Sequence, residues 1–274
     1  MSVMRKAQNL WEKFANVKAG THASSIAYFT FLSLIPLLTL CISIITMTGL
    51  GEREVVEFLC ALVPDTFDDL AKTLIGDAFK QSGIAFSISS IMLLWTASNG
   101  IRALQQGLNA AYGVQEKRNI IVDIAISIGA AIVLGILLAV AIYLVFGGAV
   151  MRAAAPFVPG LEQRGDVVDV LNSAAAIVLS IVALAACYAY LPSKSRRFTA
   201  QLPGAVLASL ACGALTFGFH VYVNNFCNAD ALYGSIATVA LFLFWMYLVA
   251  FILIAGAFLN RALMEHLSST SVPL

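Results

Sequence analysis

Charged side chains are scarce in this sequence. Among its 274 residues, 11% are Asp, Glu, Lys or Arg, whereas 60% are hydrophobic and the mean hydropathy is +0.89. Soluble domains usually carry about 25% charged residues. The composition therefore excludes a soluble enzyme with a large core and indicates an integral membrane protein.

The residues that enzymes and ion pumps use are scarce as well. The sequence has three histidines, His22, His220 and His266, and they fall on different predicted elements. They do not form the i, i+4 pair with a nearby carboxylate that binds zinc, and no GxxxxGK, GxSxG or HExxH motif occurs. The interiors of the long apolar stretches contain almost no ionisable residue, which argues against a proton or ion path. We therefore expect no enzymatic activity and no metal or other cofactor.

The five cysteines do not form a disulfide framework. Cys41, Cys187 and Cys212 lie in long apolar stretches, where cysteine behaves as a small apolar residue. Cys60 and Cys227 fall outside these stretches, on the side that we predict to face an oxidising compartment. Spacing alone does not show whether they are close enough to pair, so a Cys60–Cys227 disulfide stays open.

Six apolar stretches are long enough to cross a membrane, because a transmembrane helix needs about 20 apolar residues. The first is too long for the apolar part of a signal peptide, which has about 7–15 residues, so we expect it to be retained. The predicted fold is all-α, a polytopic six-helix transmembrane bundle with short amphipathic helices outside the membrane, forming a single domain over 1–274. The predicted spans are 24–48, 84–104, 121–146, 171–191, 202–223 and 234–260.

Basic residues are distributed unequally between the two sides of this bundle. Four precede the first span, three lie within 99–119, three within 194–197, and Arg261 follows the last span, whereas the opposite side has five. Loops rich in Lys and Arg stay in the cytoplasm. Both termini are therefore predicted to be cytoplasmic.

The segment 51–82 is the longest loop on the predicted outer side. Apolar residues recur in it at helical spacing, and Pro64 and Asp65 interrupt the pattern. We interpret it as two short helices. They either pack over the bundle, or form a surface that binds an envelope protein or enters the membrane interface.

Polar residues mark two of the spans. In span 24–48, Pro36 removes a backbone donor, so the sequence predicts a kink that Ser33 helps to stabilise; the sharper alternative is a polar cleft for an amphipathic substrate.

From span 84–104 onward, spacings of three and four predict one polar face on a helix that continues beyond the bilayer. This face either lies between the protein and the cytoplasm or, with Lys194, Arg196 and Arg197, attracts anionic headgroups. Its residues are Asn99, Arg102, Gln106, Asn109 and Gly113.

Small residues recur at every fourth position in two spans. Close contact between membrane helices requires small side chains, so both rows predict helix packing. The rows are Ala131, Gly135 and Ala139, and Ala205, Ser209 and Gly213.

Four segments in the same order resemble the YihY/BrkB family of bacterial inner-membrane proteins, historically also labelled ribonuclease BN-like. They extend from about residue 22 to residue 262. The segments are ASSIAYFTFLSLIPLL, LWTASNGIRALQQGLNAAYGV, YAYLPSKSRRFTAQLPGAVLAS and LYGSIATVALFLFWMYLVAFILIAGAFLN.

The resemblance implies a six-helix protein of the bacterial inner membrane that helps to transport or distribute phospholipid. The alternatives are a non-enzymatic scaffold for envelope proteins and, more remotely, a ribonuclease, for which the sequence lacks the chemistry. We expect the phospholipid bilayer as a partner, an envelope protein at 51–82 as a second one, and no nucleic acid; the oligomeric state stays open. The candidate lipid-path or headgroup residues are Ser25, Tyr28, Ser33, Pro36, Asn99, Arg102, Asn109, Arg196, Arg197 and Tyr233.

Overall fold

The computed structural model describes residues 3–47, 83–115, 166–226 and 234–270, together with 124–130 and five positions between 132 and 140. All regular secondary structure in these residues is helical, and they contain no strand. The predicted all-α class is confirmed for this part of the chain. The loop 51–82, Tyr233, and the pair Cys60 and Cys227 lie outside the described residues.

Six long helices account for most of the described chain, and residues 124–130 are also helical. Every predicted span overlaps with helical residues, and the helix at the predicted span 84–104 continues without interruption to Tyr112. A short 3-10 helix, Phe198–Gln201, directly precedes the fifth long helix. The helices are α1 (Val3–Val17), α2 (Ala19–Met47), α3 (Gly83–Tyr112), α4 (Asp166–Tyr190), α5 (Leu202–Phe226) and α6 (Gly234–Thr270).

Two stretches of the described chain are long and apolar enough to cross a membrane. They are Phe198–Phe219 and Val239–His266, and a shorter apolar helical stretch covers Ala174–Tyr190. Only 17% of the most apolar window of each long stretch is buried inside the protein. Large apolar side chains such as Leu210, Phe217 and Phe244 are instead exposed. Large apolar side chains exposed along membrane-length helices are expected of helices that face lipid.

The chain divides into two compact units, and three of the four divisions fall within α2, α3 and α4. Unit 1 comprises Met1–Phe31, Ser98–Val133 and Ser180–Leu274. Its core is rich in alanine, which allows helix axes to approach closely, and is filled by larger residues such as Leu108, Tyr188 and Ile254.

Unit 2 comprises Leu32–Ala97 and Leu134–Leu179. Helix α2 continues through Pro36, whose side chain is buried. In α3, the buried hydroxyl of Thr96 donates to the carbonyl oxygens of Met92 at 2.8 Å and Leu93 at 3.2 Å, so it is satisfied within its own helix. The kink at Pro36 and the single domain over 1–274 stay predictions.

Helix α1 was not predicted from the sequence. It packs on α6, where the ring of Phe14 lies 5.9 Å from that of Phe251 and 5.2 Å from that of Phe258. Lys13 forms an ion pair with Glu265 at 2.6 Å. Lys18 ends the helix in the left-handed region, with φ of 50°, and α2 begins at the next residue.

Helices α5 and α6 approach each other at two glycines. A Cβ on Gly204 would overlap with the carbonyl oxygen of Gly256, and a Cβ on Gly256 would lie 3.0 Å from that of Ala208. The predicted packing row is therefore wrong at one end, because Gly213 is exposed with no atom near its Cβ position. Helix packing instead uses the neighbouring face, with Gly204 and Ala208 toward α6.

Candidate functional site

A row of buried polar residues runs along α3. Their spacings of 4, 3, 4 and 3 place them on one side of the helix, within an arc narrower than a third of its circumference. Gln105 is 1% exposed and Asn109 is 4% exposed, Ser98 and Tyr112 are also buried, and Arg102 is half-buried. We call this set the α3 polar row: Ser98, Arg102, Gln105, Asn109 and Tyr112.

The predicted polar face of α3 coincides with the α3 polar row only in part. It shares Arg102 and Asn109 with the α3 polar row, but Gln106 and Gly113 are exposed and Asn99 is half-buried. The polar groups that the protein encloses lie on the neighbouring side of the helix. The pattern of spacings is correct, and the face is displaced by about one residue.

The row ends in a hydrogen-bonded contact with the segment that joins α4 to α5. The amide of Asn109 donates from Nδ2 to Ser193 Oγ at 2.9 Å, and its Oδ1 accepts from the backbone N–H of Ser193 at 2.8 Å. One turn further on, the Tyr112 hydroxyl donates to Gln201 Oε1 at 2.5 Å. These bonds fix the segment between α4 and α5 against the C-terminal end of α3.

Asn260 of α6 completes this network. Its Nδ2 donates to the carbonyl oxygen of Gln201 at 3.0 Å, and its Oδ1 accepts from the backbone N–H of Gly204 at 2.7 Å. Both Gln201 and Asn260 are fully buried. A buried amide with both ends bonded holds α6 to the start of α5 in a single register.

Two arginines lie at this end of α3. The guanidinium of Arg196 lies over the Tyr112 ring, with Cζ 4.3 Å from the ring centroid, a cation–π contact. Arg261 donates from Nη1 to the carbonyl oxygen of Ala111 at 3.2 Å and from Nε to Glu265 at 2.8 Å. Burial lowers the pKa of Arg196, with a smaller contribution in the same direction from the charge of Arg261. Two cations thus lie close together at the end of a row of polar groups.

The environment of Tyr112 also changes its ionisation. Burial raises the pKa of the phenol to about 12, although its hydrogen bond with Asn260 and the charge of Arg196 act in the opposite direction. Tyr112 therefore stays neutral over the physiological range. In that form it donates to Gln201 and supports the Arg196 guanidinium.

Most of the other predicted site residues that the structure describes are exposed or half-buried. Ser25 and Tyr28 are exposed on α2, and the Tyr28 ring contacts that of Phe29 edge-on at 5.3 Å. Ser33 is half-buried, and Arg197 is exposed beside Arg196. Of the ten predicted residues, the structure brings Arg102, Asn109 and Arg196 to the α3 polar row and its end.

Sequence reasoning missed Gln105, Tyr112, Gln201 and Asn260. A signal existed for Asn260, because an amide within an apolar helix usually bonds to a neighbouring helix. Gln105 was not separable from Gln106, since two adjacent glutamines give no indication of which one is buried. Within the described ranges, no three His, Cys, Asp or Glu side chains form a group that could bind a metal ion.

Comparison with known proteins extends over nearly the whole chain. The family described as Virulence factor BrkB matches residues 10–273. The chain is 28% identical over 258 residues to YfkH of Bacillus subtilis, a protein named as ribonuclease-like, and the match covers 93% of this chain and 94% of that protein.

Two UPF0761 membrane proteins show similar identity. One, from Paraburkholderia xenovorans, is 28% identical over 96% of this chain and 60% of its own length. The other, from Photobacterium profundum, is 26% identical over 89% of this chain and 76% of its own length. No solved structure has significant similarity to the chain. The chain belongs to the BrkB family, and the resemblance seen in the sequence is confirmed.

Proposed function

We propose that this BrkB-family membrane protein transports or distributes phospholipid in the bacterial inner membrane, with no enzymatic step and no cofactor. In this proposal the six predicted spans, which do not include α1, cross the membrane and both termini are cytoplasmic, as the distribution of basic residues favours. The C-terminal end of α3, next to Arg196 and Arg261, then faces the cytoplasm. Membership of the family supports the assignment to a membrane but does not specify the cargo.

The α3 polar row is the observation that carries this proposal. Burying polar groups in a membrane protein costs free energy unless they are hydrogen-bonded, and ionisable groups there usually serve a function. Ser98 and Arg102 lie within the predicted span 84–104, and Gln105, Asn109 and Tyr112 continue the row beyond it. In the proposal the headgroup passes along this side of α3 at Ser98, Arg102 and Gln105, while Asn109 and Tyr112 hold the segment between α4 and α5 next to it.

The basic end of the row supports a phosphate-bearing cargo. Arginine binds phosphate oxygens with two parallel hydrogen bonds, and cytoplasmic basic clusters attract anionic lipids. Arg196 is already oriented by Tyr112, and Arg197 beside it is exposed. In the proposal, Arg196 and Arg197 recruit the headgroup and Arg102 receives it within the bundle.

Reconstitution tests the proposal. In the first assay, purified protein is placed in liposomes with fluorescent phospholipid in one leaflet. In the second assay, energised membrane vesicles from wild-type and deletion strains supply an ion gradient and any protein partners. We expect faster redistribution or export of lipid than in protein-free liposomes or deletion vesicles. Equal rates in both systems would reject transport and leave the scaffold alternative.

The ribonuclease alternative rests on the name of the relative YfkH. It requires that rigorously purified protein cleave RNA, with divalent metal if the mechanism is hydrolytic. We expect no cleavage above that of a mock purification. Cleavage that co-purifies with the protein and disappears when His22, His220 or His266 is replaced would favour the ribonuclease.

A further inference from the structure

The α1 helix separates apolar from polar residues along its length. From residue 8 onward, Leu10, Trp11, Phe14, Ala15 and Val17 occupy one continuous arc of the helix. The opposite arc carries Gln8, Asn9, Glu12, Lys13 and Asn16.

Part of this apolar arc is covered by the protein and part is exposed. Phe14 packs between Phe251 and Phe258, and Val17 is buried. Trp11, by contrast, is 71% exposed, and the centroid of its ring lies 6.4 Å from that of Phe14. Leu10 is 42% exposed. A tryptophan on an amphipathic helix is thus left outside the core of the protein.

The position of α1 along α6 indicates the level of the membrane at which Trp11 lies. The apolar stretch of α6 ends at His266, and Lys13 of α1 pairs with Glu265 at 2.6 Å. Phe14, one residue further along α1, contacts the rings of Phe258 and Phe251, about two and about four turns deeper along α6. Helix α1 therefore lies along the C-terminal half of a membrane-length helix, and the Lys13–Glu265 pair places it at the charged end of that helix.

The charge of the segment fits an anionic surface. Residues 1–18 contain four basic residues and one acidic residue. Tryptophan is enriched at the membrane interface, and amphipathic helices with basic residues bind anionic headgroups there. A protein partner would also cover an apolar face, but a basic segment beside a membrane-length helix favours lipid.

We propose that α1 is an interfacial membrane-binding helix, and that the uncovered part of its apolar face, at Leu10 and Trp11, inserts among the headgroups of a leaflet containing anionic phospholipid. Phe14 and Val17 attach the same helix to the bundle. The helix thereby contacts the protein through Phe14 and Val17 and the lipid through Trp11 and Leu10, which lies one turn before Phe14. This binding is independent of whether the protein transports lipid.

Tryptophan fluorescence of the full-length protein in nanodiscs tests the proposal. Trp95→Phe with Trp245→Phe leaves Trp11 as the reporter, and the matched control carries Asn9→Trp with all three native tryptophans changed to Phe. Asn9 is exposed on the polar arc of the same helix. The nanodiscs contain phosphatidylcholine with about 30% phosphatidylglycerol. We expect acyl-brominated lipid to quench the fluorescence of Trp11 at least about twofold more than that of the control tryptophan at position 9. Quenching should fall when phosphatidylglycerol is replaced by phosphatidylcholine.

Two results would overturn the proposal. One is iodide quenching of Trp11 as strong as that of the control, since this would place Trp11 in water. The other is protection from iodide without quenching by brominated lipid, which would indicate a protein, such as a second copy of the chain, on this face. If the tryptophan variants fail to fold, spin labels on Trp11→Cys and Asn9→Cys give the same comparison through their accessibility to oxygen and to a nickel complex.

Discussion

Asn260 caps the first turn of α5 from a different helix: its Oδ1 accepts a hydrogen bond from the backbone N–H of Gly204 at 2.7 Å. The N–H groups in the first turn of a helix have no partner within that helix, so a buried helix start requires one from elsewhere. The same amide donates to the carbonyl of Gln201, the last residue of the 3-10 helix. One side chain thus fixes the junction that supports Tyr112 and, through it, Arg196.

Replacing Asn260 with leucine, a residue of similar size, tests this cap. The change leaves the Gly204 N–H and the Gln201 carbonyl without these partners inside the protein, so we expect a loss of about 2–4 kcal/mol in the free energy of unfolding. Thermal unfolding in detergent measures it. Gln106→Leu changes an exposed amide on α3 and should cost less than about 0.5 kcal/mol. Equal unfolding midpoints for the two variants would contradict the proposed cap.

Gly204 and Gly213 form a matched pair on α5. Gly204→Ala places a methyl group against the Gly256 carbonyl and the Asn260 amide, whereas nothing lies within 4 Å of the Cβ position at Gly213. We expect Gly204→Ala to destabilise the protein by roughly 1–3 kcal/mol, because backbone must move. Gly213→Ala should be neutral or stabilising by up to about 1 kcal/mol, since alanine favours helix. A Gly204→Ala protein as stable as Gly213→Ala would show that the helices tolerate a wider separation.

The sequence predicted long helices well because apolar length and 3.6-residue spacing are local properties. It predicted that α3 continues beyond residue 104, the end of span 84–104, and the helix continues to Tyr112. It did not predict which side of α3 is enclosed, since Gln105 and Gln106 have the same chemistry and only their neighbours distinguish them. For the same reason the sequence did not predict that Gly204, and not Gly213, packs closely against α6: only the neighbouring residues distinguish the two glycines.

Helix α1 shows a different limit of prediction from sequence. Its apolar residues recur at helical spacing, but the basic residues among them indicate only how the chain is oriented in the membrane. The packing of Phe14 on α6 depends on residues about 240 positions later, Phe251 and Phe258, which spacing within one segment cannot identify. The aromatic character of the segment was the available signal.

The neutral form of Tyr112 contributes to stability at ordinary pH. Its pKa is about 12 in the folded protein and 10.0 for an unperturbed tyrosine, so the folded state resists deprotonation. This contribution is complete below pH 10 and is lost as the pH rises through about 12. The difference in ultraviolet absorbance between the wild type and Tyr112→Phe should show a tyrosinate that appears near pH 12. A midpoint near 10 would mean that the phenol is not buried as described.

The proposed topology predicts which positions are accessible from each side. In a cysteine-free background, a cysteine at position 70 should react with an impermeant reagent in intact cells. A cysteine at position 195, next to Arg196, should react only after permeabilisation, because basic loops stay in the cytoplasm. The reverse pattern would require the Arg196 end of α3 to face outward and would remove the proposed attraction to cytoplasmic headgroups.

The central claim is that polar groups enclosed beside α3 conduct a phospholipid headgroup, and adjacent glutamines test it most directly. Gln105→Met removes an amide from the α3 polar row with little change in volume, whereas Gln106→Met makes the same change at an exposed position. The measurement is the rate of fluorescent phospholipid redistribution or export in the liposomes or energised vesicles described above, with both variants confirmed as folded by their unfolding midpoints. A headgroup hydrogen bond of about 1.4 kcal/mol that is lost in the crossing step slows the rate about tenfold. We therefore predict that Gln105→Met slows lipid redistribution at least about tenfold, and that Gln106→Met slows it less than about twofold. Equal rates for the two folded variants would contradict a path along the α3 polar row.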